Sequence, residues 1–416
     1  MLTALFFAWG FIICLNDILI PHLKSVFELN YFRAALVQFC FFFAFFVMSI
    51  PSAAIINRIG YQKGIVVGLL VTGLGAFLFL PAAAVPSYGW FLTALFVLAT
   101  GITLLQVAAN PYVALLGPPS LSSSRLNLAQ AVNSLGTTIA PVLGGYLILR
   151  ATGLGSSVAG SALEQAAAVK MPYLVITFLL VALALVFFFI KLPQPENASP
   201  TDRQPGLWKE TLGHRHLTLG AIGIFLYVGA EIAIGSFLVS FIMQPHILGI
   251  TAKEAAFYVA LYWGGAMVGR FIGSAVQTKV APAKTLAVAA AAAFLLVLGA
   301  IGTSGPLAMG LVLSVGLFNS IMFPTIFTLG VKDLGRLTGI GSSILVMAIV
   351  GGAVIPLAMG GLADRFGIQA ALVLPAACYI YIAHYALKGH RVVDLHARPS
   401  SLLQMRKGLN PQSALT

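Results

Sequence analysis

Two carboxylates indicate what chemistry to look for. Asp17 and Glu231 are the acids that fall well inside the long apolar stretches of this 416-residue chain. A carboxylate at mid-bilayer costs roughly 2.5–3.5 kcal/mol on insertion scales, so it persists where water, a cation or a ligand compensates it. Such a group can take up a proton, join a sodium ion through oxygen, or accept a hydrogen bond from a substrate hydroxyl. No Lys or Arg is expected inside a span to neutralise Glu231, which leaves a proton, a cation or a hydroxyl for that task.

Side-chain amides gather in the same half of the chain as Asp17. Gln106 and Asn110 stand four residues apart on one helical face, and Asn127, Gln130 and Asn133 fall within an arc of roughly 120° on another. Each amide both donates and accepts, as a ring of sugar hydroxyls requires. Gln38 adds one more amide to this candidate lining. The equivalent positions of the second half carry Asn319, Phe323, Ser342, Leu345 and Ala348, with Tyr258, Tyr262 and Trp263 nearby. That surface is apolar and aromatic, suited to the C–H face of a pyranose. Intramembrane amides also tie helices together, at about 0.6–2 kcal/mol each. For a single amide both readings stand, while five on two helices favour a polar cavity. Asn16 and Asp17, with the Asn110 oxygen in reach, could also hold Na⁺.

The elements that must position these groups follow from composition. With 59% hydrophobic and 8% charged residues, the chain is excluded from the soluble globular class. Apolar stretches of about 20 residues, the length that crosses a bilayer core, recur twelve times. The expected fold is all-α and membrane-embedded, with twelve helices in two pseudo-symmetric bundles of six. Residues 1–190 form the first bundle, and residues 217–387 the second. Residues 191–216, with Pro193, Pro195, Pro200 and Pro205, form a polar linker that cannot enter hydrocarbon. Residues 388–416 are a polar, basic tail expected to lie in water without fixed structure.

Seventeen of the 23 Lys and Arg residues fall on the linker's side of the membrane or in the tail. The positive-inside rule therefore places the linker and both termini in the cytoplasm. Basic loops facing anionic lipid account for the net charge of +12 without nucleic acid. Cys14, Cys40 and Cys378 all sit inside spans and imply no disulfide framework.

The halves repeat each other. Gln106-x4-Pro111-x5-Gly117 matches Asn319-x4-Pro324-x5-Gly330, and Gly136, Pro141 and Gly145 answer Gly351, Pro356 and Gly360. The first set is offset by 213 residues, the second by 215. Parallel six-helix repeats are one of the known carrier designs, with the substrate held at mid-membrane between them.

Four segments carry a resemblance. They are Gly10-Phe-x3-Leu15-Asn16-Asp17, Gln106-x-Ala-Ala-Asn110-Pro111, Arg125-Leu-Asn127-Leu-Ala-Gln130-Ala-x-Asn133-Ser-Leu-Gly136 and Phe323-Pro324-Thr-Ile-Phe-x-Leu-Gly330. Together they resemble the fucose permease and glucose/galactose transporter branch of the major facilitator superfamily. The resemblance implies proton coupling at Asp17, with Glu231 as a second group for ion or sugar. Fucose permease carries Glu in the fourth helix and Gln in the seventh. Here Gln106 and Glu231 exchange those types, as in the glucose/galactose transporters. The implied activity is import of a hexose by symport with Na⁺ or H⁺, by a monomer in a bacterial inner membrane, without cofactor. L-fucose and N-acetylglucosamine remain alternatives within the branch.

A drug/proton antiporter is the rival from another class, because Gly136-x3-Ala140-Pro141-x2-Gly144-Gly145 approaches the antiporter motif. An amide-lined cavity suits a lipophilic drug poorly. No histidine pair, nucleophile elbow or nucleotide loop of an enzyme is present. In the loop after the second helix, Asn57-Arg58-x-Gly60 occupies the place of a superfamily signature, and Arg270 answers Arg58 at the end of the eighth helix. These two arginines are expected to latch an inner gate.

Overall fold

The computed structural model describes residues 2–13, 31–84, 87–144, 170–193 and 207–392, and there is no strand among them. Asn16, Asp17, Cys14 and the tail beyond residue 392 lie outside the described residues. The helices of the first half are α1 (Leu2–Ile13), α2 (Tyr31–Ala84), α3 (Tyr88–Leu115), α4 (Ser122–Gly144) and α5 (Lys170–Phe189). A short helix, α6 (Leu207–Gly213), precedes the second half. That half comprises α7 (Arg215–Ile242), α8 (Ala252–Val276), α9 (Pro282–Gly302), α10 (Gly305–Asn319) and α11 (Met322–Gly330). It ends with α12 (Thr338–Met347), α13 (Gly351–Phe366), α14 (Ile368–Ala371) and α15 (Val373–His384), the last followed by a π turn at Tyr385–Gly389.

Each of the twelve expected spans has a helical counterpart among the described residues. Nine stretches there are long and apolar enough to cross a membrane. One of these, Leu36–Ala84, holds two crossings, because Gly60 at φ 81°, ψ 168° breaks α2 where the chain turns back. No neighbouring atom would obstruct a side chain at Gly60, so the backbone angle alone calls for glycine. Helix α4 falls short of the nine because Asn127, Gln130, Asn133 and its serines dilute its apolar content.

The repeated prolines explain the interruptions. Proline has no N–H, so it leaves the carbonyl four residues earlier without its helical partner. Pro324 frees Ser320 O, and α10 gives way to α11 there. The chain keeps helical angles at Ser320 (φ −47°, ψ −47°), and the ladder resumes with Thr325 N on Ile321 O at 3.1 Å. Pro111 frees Val107 O in the same way inside α3. Both carbonyls find side-chain donors. Arg270 Nε donates to Ser320 O at 3.1 Å, and Ser342 Oγ donates to Val107 O at 3.3 Å.

The repeated glycines explain the packing. A Cβ on Gly136 would collide with Phe7 O of α1, and one on Gly351 with Phe225 O of α7. The same close approach thus brings α1 onto α4 and α7 onto α13, at matched positions of the two halves. Gly10 and Gly229 supply the complementary small residues, facing Asn133 and Ile355.

The halves meet along two seams. In one, α4 runs beside α8: Ser124 Oγ donates to Ser274 O at 2.7 Å, Ser274 Oγ returns a bond to Ser124 O at 2.9 Å, and Thr138 reaches Met267 Sδ at 3.7 Å. In the other, α12 and α13 lie against α2, where Gly352 packs on Phe42 and Gly339 on Asn57.

The linker departs from the expected loop. Its final part is helical, and Glu210 of α6 receives Arg336 Nη2 on both carboxylate oxygens at 2.9 Å. At its other end Tyr112 OH donates to Pro193 O at 2.6 Å. Arg125 caps the end of α3 by donating to Ala114 O at 2.8 Å and Pro118 O at 2.7 Å.

Helix α8 opens with a capping box: Glu254 accepts from Thr251 N at 3.0 Å and Thr251 Oγ at 2.8 Å. Those two bonds, the side-chain one first, hold the exposed Glu254 carboxyl below the usual carboxylate range. The cap's contribution is therefore present above the unfolded pKa and lost as pH falls through the lower, folded one. Thr251→Ala, which removes the hydroxyl bond but keeps the backbone one, is expected to raise the Glu254 pKa part of the way toward the ordinary range, as read by NMR titration of labelled glutamate; an unchanged value would remove the hydroxyl from the explanation.

Candidate functional site

Glu231 lies in the middle of α7 with 8% of its surface exposed, and Arg270 of α8 brings Nη2 to 4.0 Å from its Oε1. The expectation that no basic side chain inside a span meets Glu231 does not hold. With its guanidinium turned toward Glu231, Arg270 falls within the apolar stretch Phe257–Val276. The freed Ser320 carbonyl is the reason: it offers a backbone acceptor where an arginine would otherwise find none. A further N–H of Arg270 donates to Ser134 Oγ of α4, across the seam between the halves.

Around this pair stands a cluster of buried hydroxyls. Tyr227 precedes Glu231 by one helical turn, Tyr262 faces it from α8, and Tyr379 from α15; all three lie close enough to feel its charge. Asn319 Nδ2 donates to Tyr262 OH at 3.0 Å. Tyr227 OH sits against the Glu231 carboxylate and Tyr379 OH against Asn319, while Glu231 Oε1 also faces Arg270; none of these contacts among the described residues has the geometry of a full hydrogen bond. A buried polar atom left wholly without a partner costs about 1–3 kcal/mol, and these are held short of full pairing. Their convergence makes this cluster the candidate site for a polar guest. The second half, read from sequence as apolar and aromatic, is therefore polar at its centre.

The five amides of the first half separate into two groups. Asn127 is wholly buried in the seam, donating to Ser123 O at 3.0 Å and to Gln277 Oε1 at 2.6 Å. Gln277 passes the connection on to Thr325 Oγ1 at 2.8 Å and Thr285 Oγ1 at 2.9 Å. Asn133 donates to Phe6 O at 2.8 Å and secures α1. These two hold helices. Gln106 and Gln130 are as buried as Asn133, each keeping 7% of its surface accessible, but neither is tied to the backbone of another helix. Gln130 Nε2 reaches Asn110 Oδ1 at a long 3.4 Å, while Asn110 Nδ2 is buried without a partner among the described residues. Gln106, Gln130 and the Asn110 amide nitrogen are thus the first-half groups with capacity to spare.

Gln38 is half-buried on α2 and lines a cavity of about 440 Å³ shared with Ile232 and Ser236 of α7 and Gly352, Ala353 and Leu357 of α13. It lies across from the turn that follows Glu231. Phe323, 8% exposed, leans on Phe327 with ring centroids 6.0 Å apart. Arg58 is exposed at the inner loop, where the neighbouring Asn57 makes the contact with Gly339 of the other half. Asn16 and Asp17 lie outside the described residues, and with them the sodium site drawn from Asp17 and Asn110. The Asn110 oxygen itself accepts from Gln130.

Sequence reasoning missed Arg270 as the partner of Glu231, together with Ser134 and Tyr379. The signal for Arg270 was available: it sits six residues inside the end of an apolar stretch, opposite a proline that must leave a carbonyl bare.

Twelve helices in two matched sets of six, with buried charge where the sets meet, define a secondary-carrier architecture. The family model of the Major Facilitator Superfamily matches residues 1–349, and the chain belongs to that superfamily. The chain is 52% identical over 393 residues to the "Glucose/galactose transporter" of Brucella abortus biovar 1 (strain 9-941), covering 94% of this chain and 93% of that one. It is 36% identical to the "L-fucose-proton symporter" of Escherichia coli (strain K12), covering 93% and 91%. A solved structure of a Major Facilitator Superfamily transporter, FucP, in the outward conformation superposes with a TM-score of 0.84 at 35% identity, covering 93% of this chain and 97% of that one.

Proposed function

We propose that this protein is a secondary active sugar transporter that imports a hexose of the glucose/galactose kind by symport with a cation, through alternating access. The observation that carries the reading is the Glu231 cluster: a carboxylate at membrane depth, 4.0 Å from Arg270 and ringed by buried polar atoms with unused bonding capacity. In the first half, Gln106, Gln130 and Asn110 offer donors and acceptors for hydroxyls, and in the second Phe323 offers an aromatic face for C–H bonds. The names borne by the 52%-identical and 36%-identical relatives support sugar as cargo. The second of those names specifies a proton symporter, which supports H⁺ as the coupling ion, with Na⁺ the alternative.

In this proposal residues 1–190 and 217–387 rock against each other about the sugar, joined by a cytoplasmic linker at 191–216 and followed by a cytoplasmic tail at 388–416. The protein works as a monomer in a bacterial inner membrane. The polar bonds of Asn127, Ser124 and Ser274 lie toward the ends of α4 and α8 assigned to the cytoplasm, which makes the arrangement one closed on the inside. Arg58 stays at that inner face, and Asp17 shares ion coupling with Glu231.

Reconstituted into liposomes, the protein is expected to accumulate labelled glucose or galactose under a sodium or a proton gradient, each imposed separately. Asp17→Asn is expected to abolish uphill accumulation and to spare exchange between preloaded vesicles. No uptake of any hexose, L-fucose or N-acetylglucosamine under either gradient would reject the proposed function. Dye extrusion in place of sugar uptake would establish the antiporter instead.

A further inference from the structure

Arg270 is tied to three elements at once. Its guanidinium meets the Glu231 carboxylate on α7, the Ser320 carbonyl that Pro324 leaves bare, and the Ser134 hydroxyl on α4 in the opposite half. A guanidinium has five donors in a rigid plane, so it can serve several acceptors but cannot approach all of them equally. Here the two neutral acceptors are bonded directly, and the carboxylate stands at 4.0 Å, the outer limit of an ion pair. Ser134 is well suited to its part. It is 2% exposed, donates its own proton to Gln130 O at 3.1 Å, and so presents a lone pair to Arg270. The arginine is connected in this way to the backbone that carries Gln130.

We propose that Arg270 is the positioning residue through which cation binding at Glu231 sets the grip between the two halves. Hydrogen bonds involving an ionised acceptor are roughly twice as strong as neutral ones. An uncompensated Glu231 therefore draws the guanidinium toward α7 and off Ser134, loosening the α4–α8 seam. A proton or sodium ion on Glu231 removes that pull, and Arg270 returns to Ser134. The charged and titratable groups facing Glu231 are Arg270 and Tyr262 on α8, Tyr227 on α7 and Tyr379 on α15. Among them Arg270 alone bonds across the seam. The inference rests on the cation-coupled reading above and names the side chain that does the coupling.

The test uses the full-length protein in liposomes, with sugar uptake measured against increasing Na⁺ or falling pH, whichever drives the wild type. Ser134→Ala removes the acceptor on the far half without touching Glu231. It is expected to raise the half-saturating cation concentration at least fivefold, leaving sugar affinity at saturating cation unchanged. Arg270→Lys, which keeps the charge but not the planar fork, is expected to shift it in the same direction. Spin labels on Ser120→Cys and Thr278→Cys, exposed at the inner ends of the two halves, report the seam in a background lacking Cys14, Cys40 and Cys378. Their separation is expected to respond to cation in the wild type, to be fixed in Glu231→Gln, and to lose its response in Ser134→Ala.

A Ser134→Ala protein whose half-saturating cation concentration stays within twofold of wild type would overturn the proposal. So would a variant whose uptake falls by one factor at every cation concentration, since that is the mark of a merely structural contact. A wild type that transports sugar with no change in label separation would overturn it as well. A wild type that moves no sugar under either gradient rejects the underlying function instead, and the two failures are thereby told apart.

Discussion

Arg270→Leu is expected to lose about 3–5 kcal/mol of stability, measured by unfolding in a bilayer-mimicking detergent, because it strands Glu231 as a buried charge. The loss has two parts. Glu231 keeps no basic neighbour among the described residues, and Ser320 O loses the donor that Pro324 made necessary. The double variant Glu231→Leu/Arg270→Leu removes the stranded charge together with its partner and is expected to recover much of the first part. The carbonyl penalty, about 1–3 kcal/mol, should remain. Strict additivity of the two single changes in such a cycle would mean that the residues do not interact.

Gly136→Leu and Gly351→Leu are expected to be the most damaging changes away from the charged site. At both positions the first side-chain atom would overlap a backbone carbonyl, Phe7 O or Phe225 O, and a backbone cannot swing aside as a flexible side chain does. The cost should exceed the roughly 1–3 kcal/mol typical of overpacking. Gly361→Leu provides the comparison. It lies on the same helix as Gly351, is exposed, and has nothing within 4 Å of an added Cβ. Folded yield after membrane insertion should collapse for the first two and hold for the third. Equal damage at all three would discard close helix approach as the reason for these glycines.

The helical framework was readable because hydrophobic length leaves little ambiguity in a membrane protein. Spans of about 20 apolar residues, a proline-rich polar segment after residue 190, and proline and glycine at matched offsets led directly to two six-helix sets. The matched glycines turn out to make equivalent contacts, at Phe7 and Phe225. Individual side chains were harder. Asn127 and Asn133 look the same as Gln130 in a helical arc, and only tertiary packing reveals that they bond Gln277 and Phe6 O. The pairing of Arg270 with Glu231 was missed because arginine inside an apolar stretch is costly. The cost is relieved by a carbonyl contributed from a different helix, a circumstance no local pattern encodes. Asp17 stays as the sequence left it.

The freed carbonyls of Val107 and Ser320 also bear on ancestry. Proline at equivalent places in α3 and α11 created the same vacancy twice, as expected if one gene was duplicated and its copies fused. The descendants filled the vacancy differently, one with a serine reaching over from the sister copy and the other with an arginine from its own. Inheritance kept the defect, and divergence acted on what repairs it. An asymmetric machine could arise this way from two identical parents.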